Sequence, residues 1–163
     1  MVFSYLQAIA QRKRSQIFSS FGITMVFDIF LFFSLFSTNL TILRLQLVYL
    51  IAQMIMSIFI LIAGIFAEEI FAIHVKNKNY KQIIDSVDLY NFRQKYGWLS
   101  NIFSVLSNGL AIYAMVALGW IAQPVVFLVM LVIGLTTLYS FVDNLPNQVA
   151  KSGLTEEDFD GYY

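Results

Sequence analysis

An aspartate interrupts the first apolar stretch of this chain near its centre. Asp28 lies between Ile17 and Phe36, a run that also carries thirteen Leu, Ile, Val or Phe residues. Translocon scales charge about 2.5–3.5 kcal/mol for an aspartate at the middle of a membrane helix and return about 0.3–0.6 kcal/mol for each central Leu, Ile, Val or Phe. The run therefore inserts in spite of Asp28. The local cost persists unless the carboxyl group faces protein or water, which makes an intramembrane acid a candidate for function.

Polar side chains recur at matching depth in two other apolar stretches. At 100° per residue, Gln46, Gln53, Ser57, Gly64 and Glu68 fall on one narrow face, with Gln53 level with Asp28. Asn101, Ser104 and Asn108 share a face further along, with Asn108 near mid-depth. Asp28, Gln53 and Asn108, with Ser57 and Ser104 beside them, make up the candidate intramembrane polar site. Three readings stay open. The groups bond one another and fix helix register, they form a proton-linked or ligand-binding site, or Asp28 meets a cation from another subunit. No Lys or Arg of the chain reaches that level, so Asp28 is expected to be neutral or paired in trans.

Other chemistry is sparse. There is no cysteine, hence no disulfide framework, thiolate metal site or thiol nucleophile. Glu68 and Glu69 are not followed three residues later by histidine, so the metal motif of carboxylate-bridged bundles is missing. His74 is the single histidine, and P-loop, GxGxxG, HExxH and GxSxG patterns do not occur. The sequence implies no catalytic residue, no metal and no cofactor. Arg44, near the outer end of the second stretch and opposite its glutamines, is expected to snorkel to headgroups.

Four segments have the roughly 20 apolar residues that a membrane span needs: 17–36, 45–67, 98–118 and 124–142. The short links after the first and third force antiparallel neighbours, so the expected fold is all-α, a four-helix transmembrane bundle of two helical hairpins in a single membrane domain. Each hairpin opens with a helix bearing a mid-span polar residue, Asp28 or Asn108, a weak parallel repeat. In the central link, 68–97, Tyr80, Ile83, Ile84 and Val87 recur at helical spacing with Lys81, Gln82, Asp85 and Asp88 between them. That pattern predicts a short amphipathic helix, lying at the inner membrane surface or packed under the bundle. The tail, 147–163, is polar and acidic, a composition that is usually disordered unless docked.

Composition agrees with a lipid solvent: 59% of residues are hydrophobic and 12% charged, against about 25% charged in soluble domains. The formal net charge of zero provides no basic excess for nucleic acid. Arg12, Lys13, Arg14, Lys76, Lys78, Lys81, Arg93, Lys95 and Lys151 fall on one side of the expected topology, and only Arg44 on the other. The positive-inside rule makes the rich side cytoplasmic, with both termini there. Trp98 and Trp120 stand about 33 Å apart along a helix, at the two interfaces of the third span. The first apolar run is too long for a signal h-region and no Ala-x-Ala site follows it, so it reads as a retained span.

Phe21–Gly22 with Asp28 six residues on, continuing Ile29–Phe30–Leu31–Phe32, and the second hairpin opening around Asn108, resemble the GtrA-like family of small four-span proteins. The resemblance implies four spans and a part in moving polyprenyl-phosphate-linked sugars across a membrane. That family tends to close its second span with basic and aromatic residues, whereas Ala67–Glu68–Glu69–Ile70–Phe71 is acidic here. The residues themselves put first a non-enzymatic accessory or structural subunit of a membrane assembly, with the lipid bilayer and other membrane subunits as partners. A small carrier or flippase-like protein using the Asp28 level comes second.

Overall fold

The computed structural model describes residues 2–12 and 16–162, with backbone alone for 12, 16–21, 161 and 162. Lys13 and Arg14 of the basic trio and Tyr163 lie outside the described residues, as do the side chains of Arg12 and Phe21. Every regular element among the described residues is helical: α1 (Val2–Arg12), α2 (Gln16–Ser34), α3 (Leu40–Ile65), α4 (Ala67–Lys76), α5 (Tyr80–Ala117), α6 (Ala122–Asp143) and α7 (Leu145–Lys151), with a terminal 3₁₀ segment at Glu157–Tyr162.

Helices α3, α5 and α6 are each long and apolar enough to cross a membrane. Their exteriors carry Ile51, Ile55, Phe59, Ile62, Val105, Val125 and Val129 in the open. Exposed apolar surface on that scale suits hydrocarbon rather than water. α3 starts where Asn39 accepts a hydrogen bond from the Thr41 N–H at 2.9 Å, satisfying an orphan donor of its first turn. It ends at Phe66, where the chain bends into α4. α4 has Glu68 and Glu69 in its first turn and His74 and Lys76 in its last, the arrangement that complements the helix dipole.

Two features differ from the sequence expectation. The pairing of helices is not dominated by chain neighbours: α3 makes its most extensive contact with α6. The buried residues of α3 are Gln46, Leu50, Ser57 and Gly64, and those of α6 are Pro124, Phe127, Leu131, Gly134 and Val142. Both sets follow three- and four-residue steps, the seam of helices packed nearly parallel. Gly64 faces the Gly134 carbonyl and Thr137, while Gly134 faces Ile60 and Leu61. Later residues meet later ones, so the two helices run in the same direction.

The second difference is in the central link. The amphipathic segment is not a separate short helix but the first turns of α5, which runs unbroken for 38 residues. At 1.5 Å per residue that is about 57 Å, nearly twice the hydrocarbon thickness, so half of α5 projects beyond any membrane it crosses. There Ile83, Ile84 and Val87 are buried with Leu6, Ile9 and Ala10 of α1, Phe71 of α4, Leu145 and Val149 of α7, and Phe159. This second core caps the bundle, and the tail docks into it instead of hanging free. Phe159 is fully enclosed with its ring 5.0 Å from that of Tyr80, a burial that contributes about 1.5–3 kcal/mol. The other core joins Leu31, Leu50, Ala111, Ala114, Met115, Phe127 and Leu131 from α2, α3, α5 and α6.

Candidate functional site

Between the two cores, α2, α3 and α5 leave a cleft of about 350 Å³. Asp28 enters it from α2, Gln53 from α3, and Ser100, Ser104, Ser107 and Asn108 from α5, with Met25, Met56, Ile60 and Phe103 as its apolar wall. Three helices contribute because none of them can hide its polar group by itself. On helices that are mostly Leu, Ile, Val and Phe, the polar minority gathers where helices face one another.

The hydrogen bonds inside the cleft are directional. The Asp28 carboxyl oxygen Oδ1 accepts from the Ser107 hydroxyl at 2.9 Å and from the Tyr49 hydroxyl at 3.3 Å. The Tyr49 oxygen in turn accepts from the Gln53 amide at 2.6 Å. Tyr49 is held in place by its ring, stacked on Phe27 with centroids 5.4 Å apart and planes 10° from parallel. On the α5 side, the Asn108 amide donates to the Ser104 hydroxyl at 3.0 Å. Each amide commits one N–H of its NH2 group to a protein neighbour and keeps a second N–H and its carbonyl oxygen.

The structure brings Asp28, Gln53, Ser104 and Asn108 to this one cleft. Ser57 is elsewhere: it is buried on the seam with α6, and its hydroxyl donates to the Met54 carbonyl at 2.7 Å. Arg44 is exposed near the start of α3. Trp98 is exposed, whereas Trp120 packs against the core shared by the four long helices. Tyr49 and Ser107, the two donors to Asp28, were missed by sequence reasoning. Ser107 completes a Ser104, Ser107, Asn108 set at i, i+3, i+4, and Tyr49 precedes Gln53 by one turn, so helical spacing carried a signal for both.

At the boundary with the cap, Arg93 reaches Asp143 with two hydrogen bonds, Nε to Oδ1 at 2.8 Å and Nη2 to Oδ2 at 2.9 Å. The guanidinium lies 3.9 Å above the centre of the Tyr139 ring. This clamp joins α5 to α6 where both leave the apolar region. Gln148 ties α7 to Glu68 of α4 at 2.9 Å, and Gln7 ties α1 to Asn91 of α5 at 3.0 Å. These contacts hold the cap against the long helices and hence fix the frame around the cleft.

The fold and the cleft define a class: an all-helical protein with three helices apolar enough to cross a membrane and a polar cleft between two of them and α2. Comparison with family models, with curated proteins and with solved structures found no match.

Proposed function

We propose that this chain is a non-enzymatic, multi-pass membrane protein of carrier type that holds a small ligand in the cleft at Asp28. In this reading α2 is a fourth span. Its 19 residues extend about 28 Å as a helix, close to the hydrocarbon thickness. Both termini and the cap are cytoplasmic, the side richer in Lys and Arg.

The observation that supports this reading is the cleft itself. Sequence reasoning alone ranked an accessory subunit first, because it saw polar faces suited to helix association. Asp28, Gln53, Ser104 and Asn108 bond to neighbouring side chains, as helix glue would, but they also border a space of about 350 Å³, within the roughly 300–1,000 Å³ range of small-molecule sites. A sugar phosphate, the ligand class that the GtrA-like resemblance implies, is not part of the proposal. Among the described residues the lining has one acid and no Lys, Arg or His, a poor match for an anion.

Thiol labelling tests the reading in a chain that has no cysteine of its own. Ser104→Cys, in native membranes, is expected to react with a small charged methanethiosulfonate, because a carrier site must admit water. A cysteine at Val105, exposed on the outside of α5, is expected to be unreactive in lipid. Silence at both positions would remove the carrier reading and return the accessory-subunit one.

A further inference from the structure

Among the described residues of the lining, Asp28 is the one acid. The Gln53 and Asn108 amides each spend one N–H on Tyr49 and Ser104 and keep a second N–H and a carbonyl oxygen. Beside them stand the hydroxyls of Thr24, Ser100, Ser104 and Ser107, with Phe103 and two methionines alongside. Among the described residues no Lys, Arg or His borders the cleft, and Arg93 is engaged by Asp143.

A primary ammonium group matches that set. It has three donors and no acceptor, and it carries the charge that an ionised Asp28 lacks. A phenyl or short alkyl body would lie against Met25, Met56, Ile60 and Phe103, where methionine adapts its shape and an aromatic face attracts a cation. An anion would meet the Asp28 carboxylate with no compensating base. A neutral alcohol would satisfy one or two acceptors and leave the carboxylate unpaired in an apolar setting.

We infer that the cleft formed by Asp28, Gln53, Ser104 and Asn108 binds a small monovalent organic amine, its ammonium on Asp28 and its apolar body against Phe103 and the methionines. This inference rests on the reading of the cleft as a ligand site, and it adds the charge and class of the ligand.

Three probes of one shape test it on the full chain in lipid nanodiscs: para-fluorobenzylammonium, para-fluorobenzyl alcohol and para-fluorobenzoate, followed by fluorine NMR. The ammonium probe is expected to bind saturably and the other two are not. Asp28→Asn, which keeps the side-chain shape, is expected to weaken the ammonium probe about 10-fold or more, and Ser104→Phe, which fills the cleft, to abolish its binding. If the alcohol binds as tightly as the amine and Asp28→Asn changes neither, the amine inference is overturned while the ligand-site reading survives. If no probe binds although Ser104→Cys is labelled from water, the amine inference again falls alone. If no probe binds and Ser104→Cys is unreactive, both fall. A protein that co-purifies with the parent and is lost in Asp28→Asn, with no amine binding, overturns the inference in favour of a cation carried by a partner's membrane helix. The probe series on the unmodified chain decides the charge question whether or not each variant folds.

Discussion

Gly64 and Gly134 bring the backbones of α3 and α6 into contact. A Cβ on Gly134 would stand 2.8 Å from both the Cα and the N of Leu61 and 2.9 Å from the carbonyl carbon of Ile60, and one on Gly64 would strike the Gly134 carbonyl oxygen and Thr137. The obstacles at Gly134 are main chain, which cannot rotate away. Gly134→Ala therefore has to push α3 and α6 apart, at a cost of about 1–3 kcal/mol or more. Gly109 of α5 has open space around its missing Cβ, and Gly109→Ala is expected to be neutral or stabilising by up to about 1 kcal/mol. Thermal unfolding of both variants in one detergent checks the pair. Equal behaviour would mean that the α3–α6 contact is not close.

Topology is tested from outside the cell. Cysteines at Thr38, in the link after α2, and at Gln123, in the first turn of α6, are expected to react with an impermeant thiol reagent added externally, and one at Ser86 in the cap is not. Labelling at Ser86 but not at Thr38 would invert the proposed orientation and place the cap outside.

The carboxyl group of Asp28 is also structural, since Ser107 and Tyr49 both donate to it. Asp28→Leu removes their shared acceptor, and each stranded donor costs about 1–3 kcal/mol where it is buried. Asp28→Asn keeps an oxygen acceptor and is expected to hold most of the parent's stability. Melting temperatures in detergent should rank the parent and Asn above Leu. A Leu variant as stable as the parent would show that the Asp28 network does not hold α2 to α3 and α5.

The cap has a core of its own, and Ile84 is at its centre with almost no exposure. Ile84→Ser removes a buried branched side chain and brings in a hydroxyl without a designed partner, for a loss of about 2–5 kcal/mol. The loss should stay in the cap: the protein still enters the membrane while limited proteolysis opens the segment before Trp98. Failure to insert would mean that the cap is required for assembly of the spans.

How much of this was legible can be judged from particular residues. Apolar runs located α2, α3, α6 and the end of α5 to within about five residues, because hydrocarbon thickness sets the length of an apolar run, but not the start of α5 at Tyr80. Depth counting put Asp28, Gln53 and Asn108 at one level, and they border one cleft. The burial of Ile83, Ile84 and Val87 followed from period alone. Their continuity with α5 did not, because Gly97 stands where the link was expected to end, and the helix passes it without a break. The α3–α6 seam was hidden for another reason. The polar face of α3 marked Gln46, Ser57 and Gly64 as inward, but the membrane part of α6 is apolar nearly all round, so hydropathy does not separate its lipid-facing side chains from its partner-facing ones. Only the small residues Ser57, Gly64 and Gly134 distinguish the contact. α1 escaped notice because its stripe, Leu6, Ile9 and Ala10, is short and gains its meaning only from the α5 surface beneath it.

The tail offers the last prediction, a dependence on acid. Asp158 accepts from the Thr155 backbone N–H at 2.8 Å, from the Thr155 hydroxyl at 2.9 Å and from the Tyr80 hydroxyl at 3.3 Å. Hydrogen bonds to the ionised form, first from the Thr155 backbone and then from its side chain, hold the Asp158 carboxyl below the usual carboxylate range, with Tyr80 and the charge of Lys78 adding to the effect. A carboxyl that is more acidic in the docked tail than in the free one favours docking at every pH above its free value of about 3.9. That contribution fades as pH falls through the lower, docked value, where the free and docked forms are both protonated. Asp158 is solvent-exposed, so the change is gradual and Phe159 still anchors the tail. Amide hydrogen exchange over 152–162 is therefore expected to be constant from pH 7 down to about 5, after correction for intrinsic rates, and to quicken below about 4. In Asp158→Asn the acid-dependent part should vanish, leaving one faster rate throughout. In Phe159→Ala the whole segment should exchange freely at every pH, because Phe159 is the apolar anchor of the tail in the cap core. If Asp158→Asn kept the parent's acid response, the Asp158–Thr155 turn would not be what fastens the tail.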